Sequence, residues 1–330
     1  MNTKYNGLDL IKSNIPDEPL LRFKGNNVEE FEKWSRQTKE KLKEIMGFDR
    51  MKKAESGCCL IESKEFDGYI REKYKINTLE NMEMPFYVLK SKEANNGKAV
   101  IAIHGHGSDG KEGLVGNEAE SYKKSIEKFS YTYAFEFMDK GYTVYIPDLL
   151  GAGERTLRIY KDNTAECNDI NNALISLGMS LQGIILFENM CLAEHISNEG
   201  FKEINCCGFS GGGHSALWLA VMCDKINRAI VSGFLHSFKD TLIYNNRCGC
   251  NFIPNQWTYV DMGDILAMAA PKEIYIETGN ADKLNGERGT QGVYEQLEIA
   301  DKCYKLFGKK IEITVCDGAH KWYGSFMDRF

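Results

Sequence analysis

Two textures of hydrophobic and polar positions divide the chain. Between residues 59 and 92 the pattern is short and alternating, and 69–76 and 84–90 read as strands joined by a loop around Asn81, an antiparallel leading edge. After Asn95-Asn96-Gly97 the apolar runs stop alternating. Residues 99–104, 142–147, 203–207, 228–232, 273–277 and 310–315 are short and continuous, with helix-like segments between them. That is the pattern of a mostly parallel sheet covered on both faces. Ahead of both textures, residues 28–46 place Val28, Phe31, Trp34, Leu42, Ile45 and Met46 among charged residues, the spacing of an amphipathic helix docked on something larger. The expected organisation is a helical extension over 1–55 and an α/β domain over 56–330. Within that domain 234–264, rich in Gly, Asn and Pro at 245–255, breaks the rhythm and reads as a cap or long loop over a site.

Composition narrows the function classes. At 330 residues and 43% hydrophobic content, one large core with an extension fits better than two equal domains. The net charge of -6, with lysines interspersed among glutamates, offers no basic patch, so nucleic acid is not an expected partner. No apolar run is long enough to span a bilayer and the first ten residues show no apolar leader core, so a soluble, cytoplasmic protein is expected. Of eleven cysteines, Cys191, Cys206, Cys207, Cys223 and Cys316 fall in strand or helix patterns, where a reduced thiol serves as a small apolar side chain.

One segment carries a reactive pattern. Ile204-Asn205-Cys206-Cys207-Gly208-Phe209-Ser210-Gly211-Gly212-Gly213-His214 runs from a buried strand into G-x-S-x-G, and 215–222 follows as a helix. Such a turn is crowded at the serine. Gly208 and Gly212 remove side chains that would clash and leave the Ser210 hydroxyl exposed above the sheet. A serine is activated by a base within hydrogen-bond reach and an acid that orients the base. Of six histidines, His320 lies in the loop after the last expected strand, and loops at the carboxyl ends of parallel strands converge on one crevice. Asp282 follows 273–277 and falls between Ser210 and His320, the chain order such sites keep.

The other candidates have local explanations. His214 begins the helix after the serine and satisfies backbone there, while His195 lies late in an amphipathic helix near solvent. His236, in the cap, is placed to touch substrate. Asp317 shapes the turn before His320, and Asp261 and Asp264 read as helix-capping or solvent-facing carboxylates. Attack on a carbonyl also creates an oxyanion. The Gly211 N–H, at a helix N-terminus, is one expected donor. The His106 N–H in His104-Gly105-His106-Gly107-Ser108 is the other, with Gly107 as alternative, and the His104 ring should pack under that loop.

Taken in order, HGHG (104–107), PDLLGAGER (147–155), GFSGGG (208–213), ETGNAD (277–282) and DGAH (317–320) resemble the α/β-hydrolase superfamily, over a stretch from about Lys98 to the C-terminus. Within it the chain is similar to the acetyl xylan esterase-like and dienelactone hydrolase-like branch, through LGMSLQG (177–183), VSGF (231–234) and CGCNFIP (248–254) ahead of DMGDI (261–265). The resemblance implies an α/β-hydrolase fold and a serine carboxylesterase or deacetylase, with Ser210, Asp282 and His320 in the triad positions. Dienelactone hydrolases carry cysteine where this chain has Ser210, so their activity is not carried over. The expected substrate is a small ester, often an acetyl ester, rather than polymeric xylan. A serine peptidase or amidase of the prolyl oligopeptidase type and a catalytically inactive binding protein on the same scaffold are the other readings.

Around this core of chemistry lie weaker signals. Asp148, Gly151, Glu154 and Arg155 follow the strand at 142–147; an Asp–Arg or Glu–Arg pairing would hold that loop, and a sharper reading makes Arg155 a clamp for a substrate carboxylate. Trp257, Tyr259 and Phe252 would line an acyl or alcohol pocket, or else bury the cap on the core. Cys248 and Cys250 offer two thiols, but structural zinc takes about four ligands and no second Cys/His pair stands at matching spacing. Neither a metal nor a cofactor is therefore expected, and the sequence leaves the oligomeric state open.

Overall fold

Nine strands form one sheet in the order β1-β2-β3-β5-β4-β8-β9-β10-β11. They are β1 (Cys58–Glu65), β2 (Tyr69–Asn77), β3 (Glu83–Ser91), β4 (Ala99–Ile103), β5 (Thr143–Pro147), β8 (Ile204–Phe209), β9 (Ile226–Ser232), β10 (Glu273–Gly279) and β11 (Glu312–Cys316); β6 (Leu157–Tyr160) and β7 (Asn163–Ala165) pair apart from them. This computed structural model describes residues 5, 7–106, 109–116, 120–160, 163–165, 167–241 and 248–330, without the side chains of 121, 158–160 and 163–165. The pairs β1/β2, β2/β3 and β3/β5 are antiparallel, and every pair from β5/β4 to β10/β11 is parallel. All six expected buried runs are parallel strands, displaced by a few residues at their ends. The alternating stretch holds three strands rather than two, because β1 is an almost wholly exposed edge strand with no apolar face to betray it.

The parallel strands lack alternation because both faces are covered. Along β4, Val100 and Ala102 join a core with Tyr131, Tyr133, Phe137 and Trp322, while Ala99, Ile101 and Ile103 join the larger core on the other side. The helix Val28–Met46 is capped by the Asn27 side chain, which accepts from Glu30 N, and ends at Gly47. It contributes Phe31, Leu42 and Met46, all fully or almost fully buried, to that larger core.

Strand order also positions the site. From β4 the chain goes to β5 on one side and later to β8 on the other, so the loops after β4 and β8 diverge across a crevice at the carboxyl ends of the strands. Residues 104–106 and the Ser210 turn stand there. Among the described residues no single helix is long and apolar enough to cross a membrane.

Candidate active site

Ser210 occupies a backbone conformation that few L-residues adopt, φ 57° and ψ −121°, as the cap of the helix Gly211–Met222. Non-glycine residues held in such regions carry strain that the surroundings must impose, and they cluster at active sites. Here the clamps are visible. Ser210 N donates to Ser232 O (2.9 Å) and its own carbonyl accepts from His214 N (3.0 Å). A methyl group on Gly212 would collide with the carbonyl oxygen of Ile103, and one on Gly208 with that of Gly212, so the close approach of helix and strand requires glycine at both. Gly211, as the first residue of the helix, has an N–H without an intrahelical partner by geometry.

His320 and Asp282 form a pair. Asp282 Oδ2 lies 2.6 Å from His320 Nδ1, and its other oxygen accepts from Leu284 N at 2.8 Å. The carboxylate side chain is fully buried and the imidazole is 17% exposed. A proton on Nδ1, donated to the carboxylate, leaves Nε2 as the basic nitrogen. The His320 ring centroid is 4.4 Å from that of Phe209, the residue before Ser210, and 6.1 Å from that of Phe129. The imidazole thus packs on the side chain of the residue before Ser210, and no hydrogen bond joins the serine and imidazole side chains among the described residues. Contacts of this kind tighten when substrate binds.

A residue that sequence reasoning passed over supports the pair. Glu277, buried in β10, accepts from Tyr323 N (3.0 Å) and Ser325 N (2.8 Å), fixing the segment just beyond His320. Its signal was a carboxylate inside an apolar run.

The loop after β4 is built from side chains under it. His104 is buried, its Nε2 accepts from Leu149 N (3.1 Å), and its Nδ1 faces Gly105 O (3.1 Å), as expected of a ring that fixes the turn. Burial holds its pKa below the usual histidine value, so the neutral ring with Nδ1 protonated satisfies both contacts. The His106 carbonyl accepts from the buried Tyr131 hydroxyl (2.6 Å), and its ring Nδ1 lies within 2.6 Å of where a Cβ on Gly211 would stand. Gly107 falls outside the described residues.

The expectation that Cys248 and Cys250 lack partners is corrected here. His106 Nε2 lies 3.5 Å from Cys167 Sγ and 3.3 Å from Cys250 Sγ, and the ligand atoms of His106, Cys167, Cys248 and Cys250 all lie within 4.8 Å of one another. Hydrogen bonds with Cys167 and Cys250 hold the Cys248 thiol far below its ordinary range, while hydrogen bonds with Cys167 and Cys248 and burial push Cys250 up. Beside this cluster a cavity of about 220 Å³ is lined by Gly105, Leu149, Gln182, Ile185, Gly211 and Ser215 among others. Its lining includes the residue after Ser210, but neither Ser210 nor His320.

The chain matches the model of the Abhydrolase family over residues 15–302. It belongs to that family. Similar solved structures include a protein from Bacteroides fragilis described as a candidate acetyl xylan esterase, 23% identical with a TM-score of 0.75, the match covering 100% of this chain and 84% of that one. A glucuronoyl esterase from Solibacter usitatus is 12% identical, TM-score 0.67, covering 94% and 95%. Acetyl xylan esterase 1 from a Thermoanaerobacterium species is 17% identical, TM-score 0.60, covering 95% and 97%. At these identities the likeness shows the fold. No curated protein sequence matches the chain.

On this Abhydrolase scaffold one expected substrate contact, Arg155, is reassigned, and the surroundings of His236 and Trp257 are placed. Arg155 is buried and its two terminal nitrogens already bind Glu188 (2.7 and 2.8 Å), with Nη1 also reaching Asp148 O (3.2 Å), so its fork is not offered to a ligand. The loop is held as expected of a Glu–Arg pairing, but by Glu188 of the helix Leu181–Asn198. Asp148 and Glu154 pair instead with Lys111, which is itself fully buried; Lys111 Nζ is 2.7 Å from Asp148 Oδ2. His236 is buried, with its ring centroid 4.6 Å from that of Phe234. Trp257 packs near Phe238 and lines a separate cavity with Leu8, Ile11 and Phe252.

Other local explanations fared better. Asp261 and Asp264 form a capping box on the helix Met262–Ala267, though both are buried rather than solvent-facing. Asp317 accepts from Asn280 (3.1 Å) within the turn before His320. His214 is buried; its backbone N–H donates to Ser210 O (3.0 Å), and its Nε2 accepts from Trp218 Nε1 (2.9 Å).

Proposed function

We propose that the protein is a serine carboxylesterase acting on small esters, acetyl esters above all. The observation that carries this reading is the strained Ser210 turn at the head of a helix, beside a buried aspartate–histidine pair. Ser210 attacks the ester carbonyl carbon while His320 Nε2 takes the hydroxyl proton. Asp282 holds the ring in the tautomer that permits this and stabilises the imidazolium that forms. The Gly211 and His106 N–H groups receive the charge that develops on the carbonyl oxygen. The imidazolium then protonates the departing alcohol, and water, deprotonated by His320, cleaves the acyl-enzyme to release acid and free Ser210.

The size of the cavity beside Gly211 suits a short acyl or alcohol group, and the esterases among the similar folds point to the same bond type. Ser210→Ala should lower kcat/KM on p-nitrophenyl acetate by on the order of 10⁴-fold or more. Wild-type turnover that falls with acyl length on a series of p-nitrophenyl esters fits the small-ester reading; undiminished hydrolysis by the variant rejects the mechanism.

A further inference from the structure

Four soft or borderline ligands from three separated parts of the chain converge beside the loop after β4. His106 comes from that loop, Cys167 begins the helix Cys167–Ser176, and Cys248 and Cys250 flank the start of the short turn Gly249–Asn251. We propose that these four side chains bind one zinc ion as a closed His-Cys₃ site, which ties the cap segment to the loop carrying His106.

The geometry suits that ion. A tetrahedral zinc with Zn–S of about 2.3 Å and Zn–N of about 2.0–2.1 Å puts sulfur and nitrogen about 3.6 Å apart and two sulfurs about 3.8 Å apart. The two sulfur–nitrogen separations here are 3.5 and 3.3 Å, and the widest spacing in the set is no more than 4.8 Å, so a small contraction completes the tetrahedron. One imidazole with three thiolates selects zinc over the hard cations that prefer oxygen. The surroundings are built to hold the ligands before any ion arrives. Gly249 N donates to Asn168 Oδ1 (2.6 Å), fastening the Cys248–Cys250 turn to the start of the helix Cys167–Ser176. Tyr131 fixes the His106 backbone through its carbonyl (2.6 Å).

With all four positions taken by protein, no site remains for a water, so the ion holds structure and does not activate a nucleophile. Binding deprotonates the thiols and releases their protons to solvent; no electron is transferred. The site does not depend on the esterase reading, since its ligands do their work whether or not Ser210 reacts.

The test is the metal content of the full chain, purified under reducing conditions without chelator and supplied with Zn²⁺ alone. About one zinc per chain is expected after dialysis, falling at least about tenfold in Cys248→Ser/Cys250→Ser and unchanged in Cys303→Ser, a buried cysteine outside the cluster. Because the double variant could fail for want of folding, Co²⁺ is also loaded into the wild-type chain. Tetrahedral d–d absorption with thiolate-to-cobalt charge transfer supports the site. A wild-type chain that retains no zinc, a cobalt spectrum without thiolate charge transfer, or a disulfide mapped at Cys248 or Cys250 in that preparation overturns it.

Discussion

At the scale of single residues, the account rests on which groups are already committed. Asp282 spends one oxygen on Leu284 N and the other on His320, so replacing it by asparagine should leave the loop in place while favouring the wrong imidazole tautomer. Asp282→Asn is expected to lower kcat by about 10³–10⁴-fold with an unchanged circular dichroism spectrum, and a loss below about tenfold would contradict its role. Arg155 is committed in a different sense. Its bidentate contact satisfies Glu188, a carboxylate otherwise buried with only the Thr78 hydroxyl (2.8 Å) as side-chain donor among the described contacts. Arg155→Leu strands that charge and should cost about 3–5 kcal/mol in denaturant unfolding. A raised KM at undiminished stability would instead return Arg155 to the substrate.

At the scale of elements, the strand-turn-helix around Ser210 depends on backbone contact that no side chain can enter. Gly212→Ala places a methyl group against the Ile103 carbonyl, so β4 and the helix Gly211–Met222 must part. A loss of about 1–3 kcal/mol or more, with a larger proportional loss of kcat than of substrate affinity, is the expected outcome in melting and kinetic measurements. This element was legible in the sequence because its chemistry is local: two glycines, a serine and an apolar run within ten residues. The parallel strands were legible for the same reason, since burial on both faces writes a continuous apolar run. The edge strand β1 writes none, and the partners of Lys111 and Arg155 are set by tertiary contact alone. The thiol cluster was invisible for a plainer reason: His106 lies 61 residues from Cys167 and 144 from Cys250, at spacings that match no ligand pattern.

Across the whole molecule, one sheet brings together residues that arrive from the ends of β4, β8, β10 and β11. The helix Val28–Met46 belongs to the same core, since Phe31, Leu42 and Met46 pack with residues of the sheet and of the helices on its face. Removing residues 1–46 should therefore expose apolar surface that the remaining chain cannot cover, giving an aggregated or molten product by size-exclusion chromatography and near-ultraviolet circular dichroism. A truncated chain that melts cooperatively within a few degrees of the parent would contradict that. Convergence of the distant loops on Ser210 is the central claim, and an active-site-directed fluorophosphonate tests it most directly. Intact-mass and peptide analysis should find one adduct, on Ser210, in the parent chain and at least a hundredfold slower labelling, roughly, in His320→Ala. No adduct on the parent, an adduct elsewhere, or labelling of Ser210 at full rate without His320 would contradict it.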